Sequence, residues 1–309
     1  MNFLLIIGGL FLLVFGGNWL LKSAIAISLK LNISKVVVGM TVVSFATSAP
    51  ELIVSINAAL NGASDLALGN VIGSNIANLG LVLGITLLLG KMQVEKSFYK
   101  TDWPVMMIAS FLLFLFLAND HIILQYEGVL LFAFLILFLI YLLRTQKNIE
   151  IEELEDEVTL SSIKTTLFLI LGGLGLWAGS ELLIKGATAL ALDFGVTERV
   201  IGVTVVSIGT SIPELAASII AVIKKEKAIS LGNLIGSNIF NILAVIGITS
   251  IITPISLSDD RLLTSDIYWM LGISFIILPM VLLPKKYTLN FKQGAVLLAA
   301  YCVFIYLTL

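Results

Sequence analysis

Two glutamates lie deep inside long apolar stretches of the sequence, at Glu51 and Glu214. A carboxylate at bilayer depth costs at least a few kcal/mol, so such a residue is expected to face a cavity and to have a function there. Around each glutamate, hydroxyl residues recur every three or four positions, which places them on the same face of a helix as the carboxylate. The two stripes are Thr41, Ser44, Ser48 and Ser55 around Glu51, and Thr204, Ser207, Ser211 and Ser218 around Glu214.

Other oxygen donors accompany the carboxylates. Pro50 has no amide to bond the carbonyl of Ala46, and Pro213 leaves the carbonyl of Gly209 free in the same way. The apolar segment that follows each glutamate carries hydroxyl and amide side chains four residues apart, namely Asn70, Ser74 and Asn78 in one case and Asn233, Ser237 and Asn241 in the other. Two carboxylates with flexible neutral oxygens, and no thiolate or imidazole, favour calcium over magnesium, zinc or copper. The hydroxyl and carbonyl oxygens also suit sodium.

The two sets of residues belong to an internal repeat. A shift of 163 residues aligns them without a gap, and 26 of the 48 positions between Gly39–Thr86 and Gly202–Thr249 are identical. Each half contains five apolar segments, an odd number, so the second half must enter the membrane from the opposite side. An inverted repeat of this kind is typical of secondary transporters.

The elements that must position these residues are membrane-spanning helices. The chain has 309 residues, of which 59% are hydrophobic and 12% charged, with a mean hydropathy of +1.08. This composition excludes a soluble enzyme, a nucleic-acid-binding protein and a secreted disulfide scaffold, and the long apolar runs predict helices rather than strands. Ten segments are predicted, at about 3–21, 34–60, 66–89, 104–118, 122–143, 163–185, 197–223, 229–252, 267–283 and 291–308.

The predicted fold class is therefore an all-α integral membrane protein with a 5+5 inverted-topology repeat. We divide it into a first five-helix repeat (1–143), an acidic linker (144–162) and a second five-helix repeat (163–309). The first helix is expected to stay uncleaved. His121 and the single Cys302 are given no role.

Lysine and arginine residues predict the orientation. Fifteen of the 18 fall in connections on one side and three on the other, which by the positive-inside rule places both termini outside and the linker in the cytoplasm. The acidic run in that linker, residues 150–157, is interpreted as a solvated connection. The expected location is the cell (plasma) membrane.

The motifs TSAPE (47–51) and TSIPE (210–214), each followed by GN-x-IGSN-x-x-N at 69–78 and 232–241, resemble the two alpha repeats of the cation/calcium exchanger superfamily. The resemblance is closest to its microbial sodium/calcium exchangers. It implies a calcium site made of the carboxylates of Glu51 and Glu214 and the backbone oxygens of Thr47 and Thr210. It also implies sodium sites at Ser48, Ser74, Ser211 and Ser237 with the carbonyls of Ser44 and Ser207, and Asn78 and Asn241 in the middle.

The same resemblance implies a secondary antiporter that exchanges three sodium ions for one calcium ion. Because this moves one net positive charge per cycle, an inside-negative potential is expected to drive sodium inward and calcium outward. Helices 1 and 6 would slide as a gate across the other eight. No enzyme activity, cofactor, nucleic acid or protein partner is expected; the partners are the bilayer and the ions Ca²⁺ and Na⁺.

Alternatives remain open from the residues. Calcium/proton exchange by the same fold is the nearest, because a buried carboxylate can carry a proton, although the many hydroxyls favour sodium. A calcium channel is more remote, because channels usually build selectivity from oligomeric rings. Some relatives, potassium-dependent exchangers among them, carry Asp where this chain has Asn241, so the asparagine weakens the case for potassium transport.

Overall fold

The computed structural model describes residues 2–145, 160–194, 209–283 and 287–308, and these residues are almost entirely helical. Nine of the described helices are long and apolar enough to cross a bilayer, and a shorter apolar helix supplies a tenth element. In chain order they are α1 (Asn2–Leu31), α2 (Lys35–Leu60), α3 (Ser64–Leu89), α4 (Phe98–Asp120), α5 (Gln125–Thr145), α6 (Ser162–Asp193), α7 (Ile212–Ile223), α8 (Lys227–Ile252), α9 (Leu262–Leu282) and α10 (Phe291–Thr308). The all-helical membrane fold is thus confirmed. The acidic run at 150–157 and the amino-terminal part of the predicted 197–223 segment, which includes Ser207, lie outside the described residues.

Helices α1 and α6 extend well past their predicted ends. α1 continues to Leu31 and α6 to Asp193. Lys22, Lys30 and Lys185 therefore lie within helices and not in connections as predicted. The prediction was wrong because a lysine can bury its aliphatic stem and still carry its ammonium to the interface. At about 1.5 Å per residue these helices are about 45 Å long, so they must tilt or project from a hydrocarbon core of about 30 Å.

The backbones of α1 and α6 touch each other. A Cβ atom added to Gly16 would lie 2.7 Å from the backbone nitrogen of Leu176, and one added to Gly179 would lie 2.9 Å from the carbonyl oxygen of Gly9. Only glycine allows so close an approach. The buried apolar residues of this pair form a cluster with α7 and the amino-terminal ends of α2 and α8, separate from the main core.

The main core lies around α3 and α8, the two most buried membrane-spanning helices described. It also includes apolar residues of α4, α5, α9 and α10, such as Leu113, Leu135, Ile273 and Leu297. The described chain thus has two large packing units, the α1–α6 pair with its neighbours and a larger body around α3 and α8, and a small cluster of Ala58, Ala59 and Ala67.

Short strands occur in four connections. β1 (Met92–Gln93) pairs with β4 (Thr288–Leu289), and β2 (Ile122–Ile123) pairs with β3 (Ile255–Ser256), both antiparallel. Each pair joins a connection of the first half to one of the second. These strands lie in connections between the membrane-spanning helices, and two residues per strand leave no periodic pattern in a sequence.

Three of the helices that carry the repeated motifs contain a π-helical turn. These turns are Gly39–Val43 in α2, Asn78–Val82 in α3 and Asn241–Ile246 in α8. The turns in α3 and α8 begin at equivalent asparagines of the two repeats. Because π-helical turns inside α-helices often mark functional positions, they point to the region that these helices enclose.

Candidate ion-binding site

Glu51 and Glu214 meet inside the protein. Both side chains are 0% exposed, and their carboxyl groups are close enough for their charges to repel each other. Neither carboxylate oxygen of Glu51 has a hydrogen-bond partner. Glu214 accepts one hydrogen bond, from the Ser48 hydroxyl to Oε1 at 3.4 Å, while its Oε2 has none.

Hydroxyl groups of the two repeats contact each other beside the carboxylates. Thr47 Oγ1 lies 3.3 Å from Ser237 Oγ, and Ser74 Oγ lies 3.1 Å from Thr210 Oγ1. The second pair follows from the first by the 163-residue shift of the repeat, with the partners exchanged. Each contact joins the first half of the chain to the second, so the site is shared by both repeats.

Four asparagines form a hydrogen-bond network between α3 and α8. Asn75 Nδ2 donates to the Asn238 carbonyl oxygen, and Asn238 Nδ2 donates to the Asn75 carbonyl oxygen, both at 3.1 Å. A backbone carbonyl only accepts, so each of these side chains must present its NH₂ group there and turn its Oδ1 elsewhere. Asn78 Nδ2 donates to Asn238 Oδ1 and Asn241 Nδ2 donates to Asn75 Oδ1, again at 3.1 Å.

The network determines which way the middle asparagines point. Because Asn78 and Asn241 must use their NH₂ groups as donors, their Oδ1 atoms stay free as acceptors. Both Oδ1 atoms are buried without a hydrogen-bond partner, as is the Ser211 hydroxyl oxygen. Buried polar atoms are normally paired. Unpaired buried oxygens on the helices that carry and surround two buried carboxylates are what a bound cation would satisfy.

Outer hydrogen bonds tie neighbouring helices together within each half. Asn70 Nδ2 donates to Ser55 Oγ at 3.0 Å, and Asn233 Nδ2 donates to Ser218 Oγ at 3.4 Å. These bonds connect α2 to α3 and α7 to α8 by equivalent residues. Their role is to hold the helices that carry the glutamates against those that carry the middle asparagines.

Comparison with known proteins identifies the family of this chain. The family model for the sodium/calcium exchanger protein matches residues 1–144 and 164–309. The chain belongs to the sodium/calcium exchanger family. It is 39% identical over 307 residues to the putative antiporter CaxA of Alkalimonas amylolytica, covering 97% of this chain and 96% of that protein. It is 30% identical to the sodium/calcium exchanger MaX1 of Methanosarcina acetivorans, covering 98% and 97% of the two chains. The solved structure of the sodium-calcium exchanger NCX_Mj soaked with zero Na⁺ and Ca²⁺ superposes with a TM-score of 0.85 at 28% identity, covering 99% of this chain and 98% of that one.

In this exchanger the structure brings together most of the residues predicted to bind ions. Glu51, Glu214, Thr47, Thr210, Ser48, Ser74, Ser211, Ser237, Asn78 and Asn241 are all in the group described above, and Ser207 lies outside the described residues. Ser44 differs from the others, because its hydroxyl contacts the carbonyl oxygens of Gly39 and Asn233 at 2.9 Å each. The Ser44 side chain thus holds α2 against α8. The predicted sodium ligand is the backbone carbonyl of Ser44, and that role stays a prediction.

Asn75 and Asn238 were missed by the sequence analysis. They lie one position beyond the serines of the GSN motif, outside the spacing that selected Ser74 and Asn78. A signal was present, because the asparagine is repeated in both halves of the exchanger. Periodicity could not show that the pair reaches across the repeat interface.

The two prolines of the exchanger have different surroundings. α2 continues through Pro50, whereas the α-helix of α7 begins at Ile212, immediately before Pro213. The Gly209 carbonyl, freed by Pro213, accepts a hydrogen bond from Ser180 of α6 at 2.8 Å. One freed oxygen therefore links α6 to the segment that carries Glu214.

A cavity of about 800 Å³ lies beside the site, between α6 and helices α2, α5 and α8. Its lining is almost wholly apolar, and it includes Phe45, Phe240 and Trp177. It reaches the ion-binding group at Ser48. Such a lining is suited to hydrocarbon chains, so this cavity is not the place where cations bind.

Proposed function

We propose that this protein exchanges sodium for calcium across a membrane and that Glu51 and Glu214 hold the transported calcium ion. The observation that carries the proposal is a pair of buried carboxylates, three of whose four oxygens have no hydrogen-bond partner. Two buried negative charges without compensation are costly, and one divalent cation would balance them. The similarity to MaX1, which is named a sodium/calcium exchanger, supports the choice of ions.

Neutral oxygens complete the proposed sites. The backbone oxygens of Thr47 and Thr210 would join the carboxylates around calcium, with Asn78 and Asn241 lining the middle. The serine hydroxyls duplicated by the repeat would bind sodium, together with the carbonyls of Ser44 and Ser207. We propose three sodium ions per calcium ion, the number that the family resemblance implies; the duplicated hydroxyl sets beside a carboxylate centre offer more than two positions.

Alternating access would come from sliding of α1 and α6 against the other eight helices. The support is their direct backbone contact and a packing cluster separate from the main core. In this proposal residues 1–143 and 163–309 are the two five-helix repeats and 144–162 is a cytoplasmic linker. The distribution of basic residues supports an orientation with both termini outside the cell membrane.

Three sodium ions against one calcium ion would move one net positive charge per cycle. One elementary charge crossing 100 mV corresponds to about 2.3 kcal/mol, so an inside-negative potential would drive sodium inward and calcium outward. The exchange rate in vesicles should therefore respond to a potassium–valinomycin diffusion potential. Sodium-dependent exchange that ignores this potential would indicate two sodium ions per calcium ion.

The test is uptake of radiolabelled calcium into proteoliposomes loaded with sodium. Glu51→Gln and Glu214→Gln each keep the side-chain size and remove one of the two charges, so each should reduce uptake to background. Glu181→Gln is the matched control, because Glu181 also lies in a membrane-spanning helix but its side chain is 47% exposed and pairs with Lys185 at 3.6 Å. It should transport at the wild-type rate.

Near-normal calcium flux in either Gln variant would show that the site is misplaced. The same vesicles can be given a proton gradient in place of the sodium gradient. Uptake that follows the proton gradient and ignores sodium would establish calcium/proton exchange instead.

A further inference from the structure

A second, much smaller cavity lies between the beginning of α4 and helices α2 and α8. It has a volume of about 10 Å³, and its apolar walls include Met40 and Ile235. Met40 precedes Glu51 by 11 residues along α2, which is about 16 Å of helix. The cavity is therefore separate from the paired-glutamate site.

The polar lining of this cavity consists of oxygen-bearing side chains. They are Gln93, Glu95, Ser97 and Asp102. Asp102 is 1% exposed and its Oδ1 has no hydrogen-bond partner. Its Oδ2 accepts only a long hydrogen bond of 3.5 Å from the Ser97 hydroxyl. A buried carboxylate with so few donors is unusual and requires an explanation.

Glu95 adds a second carboxylate. The residue as a whole is exposed at the mouth of the cavity, but its carboxyl group is shielded enough for burial to raise its pKa. Glu95 and Asp102 are close enough for their charges to repel each other. Neither forms an ion pair with a described residue, and no lysine or arginine lines the cavity.

We propose that this cavity is a second divalent-cation site, suited to calcium and distinct from the transport site. Two carboxylates, an amide oxygen and a hydroxyl are hard oxygen ligands whose charge balances one divalent ion. A volume of about 10 Å³ is roughly that of one water molecule, which admits a single dehydrated cation. Magnesium usually keeps several of its waters, so it fits this space less well than calcium does.

The position of this second site connects it to the helices that carry the transport residues. Val36 and Gly232 also line it, and a Cβ atom added to Gly232 would lie 2.4 Å from the Val36 carbonyl oxygen. The backbones of α2 and α8 are thus in contact beside the cavity. A cation bound to Glu95 and Asp102 would tie the beginning of α4 to this contact.

Equilibrium dialysis with radiolabelled calcium tests the proposal on the purified full chain in detergent. Asp102→Asn should remove one bound calcium ion per chain, both in the wild-type background and in a Glu51→Gln/Glu214→Gln background. Asp120→Asn is the matched control, because Asp120 is an exposed residue at the other end of the same helix and should leave the stoichiometry unchanged. Glu95→Gln is at an exposed position where misfolding is not expected. It should raise the dissociation constant of the same calcium ion at least tenfold.

Unchanged stoichiometry and affinity in both Asp102→Asn and Glu95→Gln would overturn the second site and would mean that the two carboxyl groups share a proton instead. An equal loss in Asp120→Asn would overturn it as well. The proposed transport site is tested separately. If it is wrong, replacing Glu51 and Glu214 will leave the number of bound calcium ions unchanged, whatever the result for Asp102→Asn.

Discussion

Asn238 gives the sharpest test of how the site is organised, because it orients a predicted ligand without being one. Replacing it by Leu keeps the branching and the number of side-chain heavy atoms and removes two hydrogen bonds of its side chain. These are the donation to the Asn75 carbonyl oxygen and the acceptance from Asn78 Nδ2, both 3.1 Å long. The Asn78 amide then loses the partner that fixes which way its oxygen points.

The expected size of the effect follows from these two bonds. A buried hydrogen bond contributes about 1 kcal/mol, and a buried carbonyl left unpaired costs about 1–3 kcal/mol. The variant should therefore be less stable by a few kcal/mol. Calcium affinity should change by less, because only the bond to Asn78 acts on a predicted ligand; about 1 kcal/mol corresponds to a roughly fivefold higher dissociation constant.

The assay measures calcium binding to the purified protein and counts only the calcium that sodium displaces. The unfolding temperature is measured in parallel. Asn75→Leu should have a similar effect, because the repeat gives Asn75 the equivalent bonds to Asn238 and Asn241. Asn57→Leu, at an exposed position of α2, is the control and should leave affinity unchanged. A folded Asn238→Leu protein with wild-type calcium affinity would refute the role of the network.

Three further predictions concern other parts of the structure. Gly16→Val should slow exchange and lower the unfolding temperature, because its Cβ would lie 2.7 Å from the Leu176 nitrogen. Overpacking of this kind costs about 1–3 kcal/mol. Wild-type exchange rates would argue against a tight α1–α6 contact. Ser180→Ala should destabilise the protein by about 1–3 kcal/mol, since it leaves the buried Gly209 carbonyl unpaired, and an unchanged unfolding temperature would contradict this. In calcium-free buffer, Glu95→Gln should raise the unfolding temperature near neutral pH but not below pH 4.5. The reason is that burial raises the pKa of Glu95 in the folded state above its ordinary value of 4.5. The wild-type protein therefore loses stability as the pH rises above 4.5 and through the higher folded-state pKa. A wild-type stability that rises with pH over that range, with no difference from the variant, would be the contrary result.

Much of this protein could be predicted from the sequence by itself because the signals are local or repeated. Apolar runs near 20 residues predict membrane-spanning helices without knowledge of the fold. Helical periodicity placed Ser48 and Glu51 on one face, and the 163-residue shift paired Glu51 with Glu214. Two buried carboxylates at equivalent positions of an inverted repeat predict a cation site before any distance is known.

Helix ends and partners across the repeat interface were decided by the tertiary structure. Lys22 and Lys185 suggested helix ends, but α1 and α6 continue past them, and α1 still contacts α6 beyond Lys22 through the hydrogen bond from the Ser23 hydroxyl to the Thr165 carbonyl oxygen. The contact between Thr47 and Ser237 joins residues 190 positions apart, and no local pattern predicts which hydroxyl groups meet.

The orientation of the middle asparagines likewise depends on the fold. Asn78 and Asn241 were recognisable as polar residues in the right place, but the sequence holds no information on which end of each amide faces the ions. That depends on Asn75 and Asn238, whose NH₂ groups are committed to carbonyl oxygens of the opposite repeat. Asp102 shows the same limit, because only the folded chain brings its buried carboxylate into a cavity with Glu95 and Gln93. Local periodicity selects the face of a helix on which a residue lies, whereas the partner that its side chain meets is determined by how the helices pack.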